Sequence, residues 1–235
     1  MFFLIVQAVI AIMAVLFLLY ALLEARSVRN ANKNQAVHFI TMSSSSASDI
    51  AEWPMVSVLL PVYNEKRIVH KIIDAACALQ YPRERLEILL LDDSTDETYE
   101  LAEKRVARYH AKGVPIRHAR REKRIGYKAG NLRFGLTLAC GDFIAIFDAD
   151  CLPPADFLLK VMPCFADDRV GFLQTGIEHV NRNATFLTRF QAMEAGHKED
   201  VTSGLSREGL MASLTGTSCV WRRSCIEAIG GISTA

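Results

Sequence analysis

Met1 to Leu23 contains no charged residue, and Gln7 is its only strongly polar side chain. As a helix rising about 1.5 Å per residue it would be roughly 34 Å long, enough to cross a hydrocarbon layer of roughly 30 Å. A cleaved secretory leader would place basic residues before a shorter apolar stretch and small residues at a cleavage site after it. Here Arg26, Arg29 and Lys33 come after the run, which points to a retained anchor with its basic end in the cytosol. The pattern predicts a transmembrane helix over 1–23 and a polar, aperiodic juxtamembrane linker over 24–52 that ends in Ser43 to Ser46. The rest of the chain, 53–235, is then a cytosolic domain beside a membrane.

Within that domain short aliphatic runs alternate with helical spacing. Met55 to Leu60 reads as a strand stopped by Pro61, and Glu65 to Leu79 as a helix with Ile68, Ile72, Ala76 and Leu79 on one stripe. Leu86 to Leu91 is aliphatic at nearly every position, as a strand covered on both faces should be. Ser94-Thr95-Asp96-Glu97 has the form of a capping box, with Ser94 as cap, ahead of a helix carrying Tyr99, Ala102, Val106 and Tyr109. Val114 to Arg117 is a candidate third strand, Tyr127 to Cys140 a third helix, and Phe143 to Phe147 a fourth strand. This order implies an α/β fold with a mostly parallel sheet and helices on both faces. Further on, Phe186, Leu187, Phe190 and Met193 share a helical stripe, for which core packing is expected ahead of contact with a membrane surface.

Composition narrows the class. With 51% hydrophobic and 23% charged residues the chain is not a disordered polyelectrolyte. A net charge of +1 gives no argument for nucleic acid as a partner, and none is expected. The six cysteines form no C-x-x-C pair or metal-finger spacing, so they read as reduced packing residues. His179 and His197 read as surface or structural histidines.

In parallel sheets ligands bind beyond the carboxyl ends of the strands. Three polar clusters fall there: Tyr63-Asn64-Glu65, Asp92-Asp93-Ser94 and Asp148-Ala149-Asp150. Neighbouring carboxylates repel unless a cation or a donor stands between them. Hard divalent cations take oxygen ligands and share their shell with phosphates. Between Lys104 and Arg133 there are eleven lysines and arginines against one acid, Glu122. Much of that run suits a solvated or headgroup-facing surface. Lys128 differs, because Gly126 and Gly130 flank it where a helix begins, a setting that lets backbone and ammonium approach phosphate.

Pro61-Val62-Tyr63-Asn64-Glu65, Asp92 to Asp96, Lys128-Ala129-Gly130-Asn131-Leu132 and Phe147-Asp148-Ala149-Asp150 together resemble family 2 glycosyltransferases, most closely the cellulose synthase and mannan synthase-like membrane enzymes. Gln174, Asn183 to Gln191, Thr215-Gly216-Thr217, Trp221-Arg222-Arg223 and Gly230-Gly231 continue the match. The resemblance implies a GT-A fold and inverting transfer of a hexose from a nucleotide-diphosphate sugar to a polysaccharide or lipid-linked acceptor. It implies that Tyr63, Glu65, Asp93, Lys128 and Asp148 bind the donor. Asp148 and Asp150 would hold a divalent cation, Mg²⁺ or Mn²⁺, with Asp150 as the stronger ligand, and Gly216 and Thr217 would meet the acceptor. Membrane partner subunits are also implied. The family's general base follows the Gly-Gly element, so it is expected beyond Ala235 and the chain is read as C-terminally truncated. The alternative is a catalytically incomplete nucleotide-sugar-binding membrane module that serves as a partner or scaffold.

Overall fold

The two strands that read as unbroken apolar runs, β1 (Val56–Val62) and β2 (Leu86–Asp92), lie parallel and adjacent, paired from Val56 with Leu86 to Val62 with Asp92. Every position of both is buried, which is why neither alternates polar and apolar residues. A computed structural model describes residues 2–33, 52–207 and 215–233 of the chain. It adds β3 (Ile116–Ala119), β4 (Phe143–Ile146), β5 (Phe172–Gln174) and β6 (Cys219–Arg222) to give one sheet in the order β3-β2-β1-β4-β6-β5. β3, β2, β1 and β4 run parallel, and β6 runs antiparallel to both of its neighbours.

The two-residue period of β1 separates two apolar layers. Val56, Val58, Leu60 and Val62 face α2 (Val69–Cys77), α3 (Thr98–His110) and α5 (Phe157–Val161) through Ile72, Ile73, Ala102, Val106 and Leu158. Leu59 faces the other way with Leu89 and Leu91, against Leu132 of α4 (Tyr127–Leu138) and Ile226 of α7 (Arg223–Ala228). Each fully buried aliphatic side chain contributes about 1.5–3 kcal/mol, so these two layers hold the strand ends in register. All six cysteines are free thiols. Burial pushes the Cys77 thiol up to about 12 and that of Cys219 to about 11, so neither is a reactive thiolate.

By its contacts the chain divides into two compact units, Met1–Ile40 with Glu178–Leu214, and Thr41–Ile177 with Thr215–Ala235. The sheet belongs to the second. The first contains α1 (Phe2–Lys33) and α6 (Phe186–Arg207). α1 runs on past Leu23 to Lys33, through the start of the expected linker. Its stretch Val9–Arg26 is long and apolar enough to cross a membrane, by length and composition.

Three local expectations change. The helix expected from Glu65 begins at Val69, because Glu65 first closes a turn whose carbonyl takes the N–H groups of Ile68 and Val69. Ser94 does not cap α3; its hydroxyl is taken by the N–H of Asn64, and Asp96 accepts the N–H of Thr98 at 3.0 Å instead. The stripe Phe186, Leu187, Phe190 and Met193 is exposed rather than packed in a core, and α6 belongs to the unit of α1, apart from the two apolar layers of the sheet.

Candidate active site

β1 and β2 end side by side, and their following residues are tied together. Asn64 sits at φ 57°, a left-handed conformation that short polar side chains tolerate. Its N–H donates to Ser94 Oγ (2.9 Å), and its Oδ1 accepts the N–H of Thr95 (2.9 Å). Asp92 is fully buried and accepts hydrogen bonds from the Ser94 N–H (2.7 Å) and from His118 Nε2 (2.9 Å). Burial alone would raise its carboxyl, but the bonds from His118 and Ser94 outweigh that and hold it below the ordinary value. Asp92 therefore braces the strand end, and Asp93 is the carboxylate turned to the site.

Arg121 grips Asp93 through Nε (2.8 Å) and Nη2 (2.6 Å), with Arg124 Nε 3.8 Å from the same carboxylate. Such a fork of parallel bonds fixes direction as well as charge. The Arg124 guanidinium also lies 3.4 Å from the centre of the Tyr63 ring, so Tyr63 and Asp93 meet through one cation. Arg121 further donates to the carbonyls of Ile125 (2.6 Å) and Tyr127 (2.8 Å), which folds the loop onto the first turn of α4. Gly130 makes that approach feasible: a Cβ there would lie 1.9 Å from the Ile125 oxygen and 2.6 Å from Arg121 Nη1. Gly130→Ala should therefore displace the loop, lower stability by about 1–3 kcal/mol and loosen Arg121 from Asp93. Chemical denaturation, and the Arg121–Asp93 distance in a crystal structure of the variant, compared with wild type, check both effects.

One residue into α4, Lys128 Nζ lies 2.6 Å from Asp148 Oδ1 and 2.8 Å from Oδ2, and donates to the Gly216 carbonyl at 3.1 Å. Thr217 Oγ1 accepts the Asp148 N–H (2.9 Å). Gln174 braces the same turn, donating to the Thr217 carbonyl (2.7 Å) and accepting the Thr215 N–H (3.2 Å). Asp150 is exposed, and its carboxylate makes no ion pair or hydrogen bond among the described residues. Glu65 lies within reach of these acids: burial, and then the charges of Asp150 and Asp148, raise its carboxyl above the ordinary value.

The expected residues thus gather at one end of the sheet. Lys128, Asp148, Gly216 and Thr217 are in direct contact, Tyr63 and Asp93 share Arg124, and Glu65 and Asp150 complete an acidic rim. Arg121, Arg124 and His118 were not singled out by the sequence, and Asn64 was marked only as a member of the first polar cluster. The basic run itself divides, because Lys104, Arg105 and Arg108 line a separate groove of about 400 Å³ between α2 and α3 with Lys66 and His70.

The description "Glycosyl transferase family 2" fits residues 57–230, which include every residue named in this site. The chain belongs to that family. It is 42% identical over 189 residues to "Probable glucomannan 4-beta-mannosyltransferase 6" of Oryza sativa subsp. japonica, covering 77% of the chain and 33% of that protein. It is 36% identical over 186 residues to glucomannan 4-beta-mannosyltransferase 9 of Arabidopsis thaliana, covering 76% and 35%. The chain spans about a third of the length of these curated relatives. Among solved structures it is similar to the mannosyltransferase PcManGT of Pyrobaculum calidifontis in complex with GDP-Man and Mn²⁺, with a TM-score of 0.63 at 22% identity, over 90% of this chain and 59% of that one. Staphylococcus aureus TarS with UDP-GlcNAc follows at a TM-score of 0.55 and 16% identity, over 75% of this chain and 47% of that one. Both support the GT-A fold that the family 2 resemblance implied.

Proposed function

We propose that this chain forms the donor site of a membrane mannosyltransferase that transfers mannose from GDP-mannose to a β-1,4-linked mannan or glucomannan, or to a lipid-linked acceptor. The observation that carries this reading is the strand-end constellation, in which Lys128 and Asp148 meet the Gly216 turn beside Asp93, Arg121, Arg124 and Tyr63. The sugar and linkage come from the relatives' activity.

In the proposed roles Tyr63 and Asp93 bound the nucleoside pocket, with Arg121 and Arg124 fixing their orientation. Lys128 places its ammonium at the diphosphate. The Gly216–Thr217 turn, braced by Gln174, presents the acceptor. Forming a β bond from an α-linked donor requires a single displacement: the acceptor hydroxyl gives its proton to a general base and attacks the anomeric carbon as the bond to the diphosphate breaks on the opposite face. Negative charge then grows on the departing diphosphate, where Lys128 and the loop arginines oppose it.

A divalent cation fits the acidic rim. Asp150 is unpaired among the described residues, and Glu65 is raised by neighbouring negative charge as well as by burial. No three His, Cys, Asp or Glu side chains among the described residues close a metal site by themselves, so donor phosphates would share the shell. Asp150, with Asp148, would hold Mg²⁺ or Mn²⁺, which when bound supplies charge stabilisation to the leaving diphosphate. α1 would anchor the chain, with the donor domain on the cytosolic side of the membrane and further membrane subunits as partners.

Donor class is tested by displacing a fluorescent GDP analogue from the full chain with GDP-mannose, UDP-glucose and UDP-N-acetylglucosamine in the presence of Mn²⁺. GDP-mannose should compete at least about tenfold better than either uridine donor, a difference of about 1.4 kcal/mol. Equal or stronger competition by UDP-glucose would refute the mannosyl assignment.

A further inference from the structure

We propose that Tyr127 is the second wall of the nucleobase seat: guanine stacks between the rings of Tyr63 and Tyr127, in the place that the Arg124 guanidinium holds, and displaces Arg124 as it enters. This rests on the reading of the strand ends as a donor site. The guanidinium lies over both rings, 3.4 Å from the centre of Tyr63 and 4.9 Å from that of Tyr127. Two rings lying side by side at those distances from one carbon would overlap. They therefore flank the cation and form a slot for a flat group, the setting in which bases stack on aromatic faces.

Tyr127 gains little from packing. Its side chain is 69% exposed, and its φ of 47° is a left-handed conformation that strains an aromatic residue. Gly126 before it, at φ 71°, and the bond from Arg121 to its carbonyl keep the turn in that form. A large ring held in a strained turn at a ligand site, with Arg124 against it, is placed for contact with a ligand rather than with the core.

Arg124 and guanine share a chemistry. N1, C2 and the exocyclic nitrogen of guanine make a flat, N–H-rich guanidine unit, as the end of an arginine does. Arg124 Nε lies 3.8 Å from Asp93 Oδ2, so its guanidinium faces both the ring and the carboxylate that the base is to meet. Guanidinium and base exclude each other there. Arg124 is lightly held: among the described residues it makes no hydrogen bond, only this ion contact and the two ring contacts. Arg121 instead donates four hydrogen bonds, two of them to Asp93, and keeps that carboxylate in place when Arg124 leaves. The carboxylate oxygens retain lone pairs for the base.

The test measures guanosine, which has no phosphate and so leaves Lys128 out of the comparison. Its affinity is read by displacing a fluorescent GDP analogue from the full chain and from Tyr63→Ala, Arg124→Ala, Tyr127→Ala and Tyr127→Phe. Tyr127→Ala should weaken guanosine about tenfold, and Tyr127→Phe should bind it as wild type does because the ring face is kept. Arg124→Ala should bind guanosine several-fold more tightly, since no side chain then competes for the slot. Unchanged or weaker binding by Arg124→Ala would overturn the proposal. A loss in Tyr127→Phe as large as in Tyr127→Ala would overturn it too, because the turn and not the ring would then matter. Wild-type affinity in Tyr127→Ala with a loss in Tyr63→Ala would overturn the proposal and leave the donor site standing. Indifference to both alanine variants would overturn the donor-site reading, and the proposal with it.

Discussion

Asp150→Ala will abolish cation-dependent binding of nucleoside diphosphate and reduce transfer by at least about 100-fold, the scale of losing one group that stabilises developing charge. Both oxygens of Asp148 are already engaged by Lys128. Of the two aspartates at the end of β4, only Asp150 has a carboxylate uncommitted among the described residues. Its charge is felt by Glu65, so it adds to an acidic rim in which none of the described side chains pairs with it. Asp150 is exposed and braces none of the described residues, so the substitution should leave the thermal midpoint within a degree or two of wild type. Calorimetric titration with GDP and Mn²⁺ reads the effect. Unchanged affinity would remove Asp150 from the metal site.

Lys128→Met should weaken GDP by about 10–100-fold and guanosine hardly at all. Charge-assisted hydrogen bonds are worth about 1.5–3 kcal/mol, and in the proposed roles only the diphosphate would use this one. Methionine keeps much of the side-chain volume, so packing at the first turn of α4 is preserved. A second consequence follows from the bond to the Gly216 carbonyl: the turn proposed to present the acceptor loses a tie to α4. Lys128→Arg should restore part of the diphosphate affinity because it restores the charge. Equal losses for GDP and guanosine would contradict a phosphate role.

The parts of the fold legible in the sequence were those with a distinctive burial pattern. β1, β2 and β4 read as strands because both of their faces are covered, and a short uninterrupted aliphatic run between turn signals suits little but the inside of a sheet. β5 and β6 left no such trace. They are three and four residues long, partly exposed, and depend on antiparallel pairings, β6 with β4 and β5 with β6, that no local pattern encodes. The capping box misled because Ser94 serves a tertiary contact with Asn64, and a motif four residues long cannot report a partner thirty residues away. The stripe on α6 misled for a related reason, since a helix has the same period whether its apolar face is packed in a core or exposed.

The site divides in the same way. Its acids were visible because each follows a strand, where position alone gives them a common rim. Lys128 was visible because glycines flank it. Arg121 and Arg124 were hidden among like charges, and only the fold decides that these loop arginines reach Asp93 and Tyr63 while Arg105 and Arg108 of α3 face the groove between α2 and α3.

The donor site is tested most directly by determining the structure of the full chain with GDP and Mn²⁺ and locating the metal by its anomalous signal. If the strand ends are the donor site, the metal will be coordinated by Asp150 and the diphosphate, with the diphosphate beside Lys128 and guanine between Tyr63 and Asp93. A nucleotide bound instead in the α2–α3 groove, or a metal with no contact to Asp150, would contradict it.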